Sequence, residues 1–146
     1  MNQQNEMQIT FPSLPENESF ARVVIAAFAV QLSPTLSEIA DIKTAVSEAV
    51  TNAIVHGYEG TRGQVVLRAS IRDKNMLTIE VQDHGKGIFD IPQAMEPFFT
   101  THPEQERSGM GFAVMQTFMD DLTVDSMPGS GTTVRMSKRI HSTDRW

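Results

Sequence analysis

Glu48 and Asn52 stand four residues apart in a stretch whose apolar residues Ile39, Ile42, Val46, Ala49, Val50 and Ala53 recur at helical spacing. Residues so spaced share one side of a helix, with a rise of roughly 6 Å between them, and that side faces away from the apolar stripe. A carboxylate and an amide aligned in this way can hold a cation and activate a hydroxyl, although a solvated helix face carries the same residue types. Asp83 opens Asp83-His84-Gly85-Lys86-Gly87 after an apolar strand. Its carboxylate can accept a hydrogen bond from an exocyclic amine, and the glycines let backbone approach a flat ring. Arg107-Ser108-Gly109-Met110-Gly111 opens a further helix. Glycines at a helix start expose unpaired N–H groups where the dipole is positive, which suits phosphate, and Arg107 adds a cation able to reach a terminal phosphate. Gly131-Thr132-Thr133 enters the last strand, where threonine is at home for β-propensity alone.

The elements that must position these residues follow from periodicity. Met7, Ile9 and Phe11 alternate with polar residues as a strand ended by Pro12 and Pro15. A helix is expected from Glu16 to about Leu32, with Asn17 as its cap, and a second from about Thr35 to His56, stopped by Gly57. Gln64 to Ile71 and Met76 to Gln82 alternate around Asp73-Lys74-Asn75 as a hairpin. The Pro-punctuated stretch 85–109 has little periodicity beyond a short helix near Gln93 to Pro97 and reads as a mobile lid. A third helix, Gly109 to Asp120, precedes strands at Leu122 to Ser126 and Thr132 to Lys138, and the tail 141–146 reads as frayed. This order predicts one α+β domain over 1–146, a mixed sheet with helices on one face and the other face more exposed.

A chain of 146 residues with 40% hydrophobic and 21% charged residues has an average globular composition. A net charge of −6 argues against direct nucleic-acid binding. An anionic nucleotide still fits where backbone N–H groups, a helix start and a cation supply local positive potential. The absence of cysteine excludes disulfides and thiolate metal sites. No signal peptide is readable, and the longest apolar stretch, Val23 to Val30, is too short to span a bilayer, so a soluble cytoplasmic protein is expected. The four histidines show no metal-ligand spacing and read as solvent-facing or structural, and the nine methionines as core filler.

Taken in order, ExxxN on a helix, DxGxG after a strand, GxG before a helix and a closing GTT resemble the ATP-binding fold shared by gyrase, Hsp90, histidine kinases and MutL, the two-layer Bergerat sandwich with an ATP lid. Within that superfamily SEAVTNAIVHGY, FFTTHPEQERSGMGF and NESFARVVIAAF are similar to the bacterial anti-sigma factors that are also serine kinases, above all those of the sporulation, or anti-sigma F, type. The resemblance covers nearly the whole chain. It implies that Asn52 ligates Mg²⁺, that Glu48 is the general base, that Asp83 binds the adenine amino group, and that Thr132 or Thr133 helps through a water. It also implies that Gly85, Gly87, Arg107, Ser108, Gly109, Met110 and Gly111 line ATP or ADP. The sequence departs from it at His102, where lysine is expected; a neutral imidazole supplies less charge beside phosphate.

The activity so implied is transfer of the γ-phosphoryl group of Mg-ATP to a serine of an anti-anti-sigma factor, together with sequestration of a sigma factor by a homodimer. A histidine kinase would need a phosphorylatable helical hairpin and a gyrase-type ATPase a transducer domain, and 146 residues leave room for neither. Arg22, the lone charge between Glu18 and Glu38 on a helix apolar nearly all round, is expected at a protein interface, and Thr51 beside Glu48 at a docking contact. The competing readings are a general-stress anti-sigma kinase, a module that uses nucleotide only to fix its shape, and the detached ATP-binding part of a histidine kinase.

Overall fold

The structure, a computed structural model, describes residues 4–96 and 111–141. Strand β1 (Asn5–Pro12) leads into helix α1 (Glu16–Ala29), a 3₁₀ turn and helix α2 (Leu36–Thr51). Strands β2 (Gln64–Arg72) and β3 (Met76–Asp83) form a hairpin, the single-turn helix α3 (Ile91–Ala94) follows, and helix α4 (Gly111–Phe118) leads into strands β4 (Asp121–Met127) and β5 (Gly131–Arg139). The described strands make one sheet in the order β1-β2-β3-β5-β4.

Every pairing in that sheet is antiparallel, where the sequence suggested a mixed sheet. The reason is topological. Strands β3 and β4 do run in the same direction, as a strand–helix–strand connection gives, but the β4–β5 hairpin inserts β5 between them. No parallel pair forms, and the register of β3 on β5 sets Asp83 opposite Thr132.

Alternation decides which face is covered. Phe11, Val65, Leu67, Ala69, Ile71, Leu77, Ile79, Val81, Val134 and Met136 are buried on the inner face. Helix α2 lies between α1 and α4 in the layer over that face, and its Ile42, Val46, Ala49 and Val50 are buried. Fully burying each large aliphatic side chain contributes about 1.5–3 kcal/mol. The outer face is polar: Arg68 donates to Gln8 and Gln82, and Glu80 pairs with both Arg68 and Arg135 at 3.5–3.6 Å. Among the described residues no helix is long and apolar enough to cross a membrane.

Helix α1 starts one residue earlier than its expected cap. Pro15 occupies the N-cap, and the Asn17 side chain reaches back to the Pro12 carbonyl instead. The helix buries Ala21, Ile25 and Ala29 while Phe20, Val23 and Val30 stay 51–62% exposed, so its uniform apolarity resolves into a core face and an uncovered face.

At the start of α2, Thr35 accepts from the Glu38 amide and Glu38 accepts from the Thr35 amide, a reciprocal capping box. Glu38 also accepts from the His141 amide at 2.8 Å, tying the segment after β5 to this helix. Burial would raise the Glu38 carboxyl, but the N–H groups of His141 and Thr35 outweigh it and hold the carboxyl below its ordinary value. That stabilisation is present above the unfolded pKa and is lost as pH falls through the lower folded one. Thr35→Ala is expected to cost ~1 kcal/mol in urea unfolding; an unchanged midpoint would remove the cap from the stability of α2.

The end of α2 departs from the single helix expected to His56. Regular α geometry stops at Thr51 and a π-helical turn, Asn52–Gly57, takes over, closed by Tyr58 N–H donating to the Ala53 carbonyl five residues back. Such widened turns are frequent at functional positions.

Candidate functional site

Three stretches meet where this turn approaches the end of β3 and the start of β5. The Lys86 amide donates to the Gly57 carbonyl at 2.8 Å, and the Gly129 amide donates to the Lys86 carbonyl at 2.6 Å. The loop after β3 is thereby tied to the π turn on one side and to the β4–β5 turn on the other. Tyr58, buried beneath them, donates to the Gln64 carbonyl and accepts from the His84 amide at 2.8 Å. Between these parts lies a cavity of about 400 Å³, the size of a small-molecule site.

The cavity brings together Asn52, Asp83, Gly87, Gly111 and Thr132 from the residues singled out in the sequence. Asp83 and Thr132 are 5% and 8% exposed, so a carboxylate and a hydroxyl sit at the buried end. Val81, Ile88, Phe112 and Val134 add apolar wall suited to a flat ring. Burial pushes the Asp83 carboxyl above its ordinary value, opposed by hydrogen bonds from the Gly85 and Thr132 backbone and by the charge of His84. Gly85 is not part of the wall; its amide donates to Asp83 Oδ1 at 2.9 Å and orients the carboxylate.

Three other expectations fall elsewhere. Thr133 lies one residue past Thr132 on β5 and so belongs to the opposite face of the sheet, paired with Gln82 and Asp125, away from the cavity. Glu48 stands half-buried one turn before Asn52 and outside the cavity wall. Arg107, Ser108, Gly109 and Met110, with His102 and the second half of the expected lid, lie outside the described residues. Of the partner candidates, Thr51 is half-buried next to Asn52, and Arg22 is held along α1 by the Ser19 hydroxyl at 3.0 Å and by Glu18 at 3.7 Å.

His56, expected to be solvent-facing or structural, lines the cavity one turn beyond Asn52. Its spacing of four from Asn52 was the available signal. Lys86, also on the wall, is paired with Glu59 at 2.8 Å and brings positive charge to the rim.

Asn52 is suited to a magnesium ion that arrives with a nucleotide. A Cβ on Gly111 would stand 3.1 Å from the Asn52 amide atoms, so glycine there keeps the space before that amide open. Among the described residues no three His, Cys, Asp or Glu side chains could hold a metal by themselves.

Residues 11–138 match the model of the histidine kinase-like ATPase domain. An anti-sigma F factor of Thermoanaerobacter sp. (strain X514) is 63% identical over 138 residues, 94% of this chain and 96% of that protein. The anti-sigma F factor of Caldanaerobacter subterraneus subsp. tengcongensis is 62% identical over 140 residues, covering 96% and 97%. That of Bacillus licheniformis is 52% identical over 137 residues, covering 93% of each chain. With the α+β layers and the cavity already described, these similarities establish that the chain belongs to the histidine kinase-like ATPase family and, within it, to the anti-sigma F factors.

Proposed function

We propose that the chain sequesters a sigma factor of the sporulation, sigma F, type and uses Mg-ATP to phosphorylate a serine of an anti-anti-sigma protein, acting as a homodimer in the cytoplasm. The observation that carries the nucleotide half is the shared wall: a buried carboxylate and hydroxyl, Asp83 and Thr132, line the same cavity as the Asn52 amide. Asp83 would accept from the adenine amino group, and the apolar wall would cover the ring. The Asn52 side-chain oxygen would hold Mg²⁺, which when bound neutralises phosphate charge and orients the triphosphate.

Transfer then requires the serine oxygen to bond to the γ-phosphorus as the bond to the β,γ-bridging oxygen breaks and ADP leaves. The hydroxyl proton passes to Glu48, on the side of α2 that carries Asn52. Arg107 would add charge at the γ-phosphate, and Ser108, Gly109, Met110 and Gly111 would bring N–H groups to the phosphates. For the binding half, the relatives' name, anti-sigma F factor, points to a sigma factor. The uncovered apolar residues Phe20 and Val23, three apart on one side of α1, would give an interface its apolar part, with Arg22 at its margin.

One observation favours a second reading, a module that binds nucleotide without transferring phosphate: Glu48 stands outside the cavity wall. Incubating the chain with γ-labelled ATP and the anti-anti-sigma protein separates the two. Acid-stable label on a serine is expected, reduced about a hundredfold or more in Glu48→Ala. Label that persists at full rate in Glu48→Ala would remove the base, and no label at all would leave the module.

A further inference from the structure

Ser126, at the end of β4, faces Thr132 directly across the β4–β5 register, and its hydroxyl has three partners. The Ile88 amide donates to it at 2.7 Å, the Gly131 carbonyl lies 3.0 Å away, and Thr132 Oγ1 lies 2.8 Å away. A serine hydroxyl has one proton to give and two lone pairs to receive. Ile88 takes one lone pair. The Gly131 carbonyl can only accept, so it takes the proton. The contact with Thr132 is then a hydrogen bond only if Thr132 donates to the remaining lone pair. Were Ser126 to donate to Thr132 instead, the carbonyl contact would be lost.

This single arrangement fixes the proton of Thr132. With its hydrogen committed to Ser126, Thr132 Oγ1 meets the cavity as lone pairs alone, beside the Asp83 carboxylate, which is an acceptor too. Two neighbouring acceptors at a buried end match a ligand edge, or a bridging water, that brings several N–H or O–H donors. They mismatch an edge that presents a carbonyl oxygen, because a buried acceptor left unpaired is costly.

We propose that Ser126 is a specificity-determining positioning residue: by holding Thr132 as an acceptor, it makes the site prefer a purine with a 6-amino group over one with a 6-oxo group. Ser126 touches no ligand itself in this role. The inference rests on the reading that the cavity takes an adenine nucleotide.

The test compares ADP with inosine diphosphate, which differ at purine position 6, by calorimetry with magnesium present. Wild-type chain is expected to prefer ADP. Ser126→Ala frees the Thr132 hydroxyl to turn its proton toward a 6-oxo group, and the preference should fall about tenfold, the worth of one buried hydrogen bond. Ser126→Thr restores the hydroxyl and should restore the preference. In a Thr132→Val background, Ser126→Ala should leave the ratio where Thr132→Val put it. General loosening of the β4–β5 turn would weaken both nucleotides alike and leave their ratio intact, so an unchanged ratio in Ser126→Ala overturns the inference. A wild-type chain that binds neither nucleotide overturns the adenine-nucleotide reading itself, and the inference falls with it.

Discussion

Asp83→Asn should lose about tenfold to a hundredfold in adenine-nucleotide affinity, the range of one hydrogen bond to a charged acceptor, while gaining stability relative to wild type as pH rises. The Gly85 amide donates to Asp83 Oδ1 and would orient the asparagine oxygen inward in the same way. The asparagine amide nitrogen then faces the cavity, a donor turned toward an amino group that is itself a donor. The pH arm follows from burial, which raises the Asp83 carboxyl in the folded chain. A raised folded pKa means that the folded state binds the proton more tightly than the unfolded state. Asp83 therefore favours folding most below its ordinary carboxylate pKa, and that contribution is lost as pH rises through the folded value. Asparagine has no such loss. Thermal melts without nucleotide should show the variant's midpoint moving up relative to wild type across that window, by about 4 °C for each ~1 kcal/mol. A difference that stays flat with pH would contradict the assignment of Asp83 as a buried, costly charge.

Gly85→Ala should be among the most damaging single-methyl changes in the site. A Cβ at Gly85 would stand 2.0 Å from the Gly57 carbonyl oxygen and 2.3 Å from its carbon. Both are backbone atoms, so no side-chain rotation relieves the clash. The loop after β3 must part from the π turn, and the Lys86 amide must leave the Gly57 carbonyl that it holds at 2.8 Å. A loss of about 2–4 kcal/mol is expected in urea unfolding, in the range of disrupted buried hydrogen bonding and strain. Magnesium-nucleotide binding should weaken as well, because the Gly85 amide, displaced with the loop, orients Asp83. A variant within ~0.5 kcal/mol of wild type, the scatter of neutral surface changes, would show that the approach of these two loops is not tight.

Much of the fold was legible because alternation and helical spacing report burial directly. Val65, Leu67, Ala69 and Ile71 on β2, and Leu77, Ile79 and Val81 on β3, are buried as their alternation required. The same rule could have chosen between Thr132 and Thr133: Val134 and Met136 face the core, and Thr132 shares their parity. Pairing between distant strands was not legible. Nothing local states that β5 inserts between β3 and β4, so a strand–helix–strand order suggested parallel neighbours that the hairpin keeps apart. The π turn was hidden for a related reason. Ala53 and Ile54 are buried in it as they would be in an α-helix, so the hydrophobic pattern is silent about the wider pitch. Glu48 falls on α2 as expected, while Asn52 opens the π turn, and only the packing of α4 and the loop after β3 shows that the cavity wall on this segment starts at Ala49, past Glu48.

The widened turn at Asn52–Gly57 sets a rule about length. Deleting one of residues 53–55 would let the backbone settle to ordinary α pitch, an easier local geometry, and five α residues turn the chain by about as much as six of the wider helix. Gly57 would then keep its carbonyl near Lys86, while Asn52 and His56, only three residues apart, would lose their present spacing on the wall. The extra residue in this hexapeptide therefore serves the shape of the cavity and not the path of the chain.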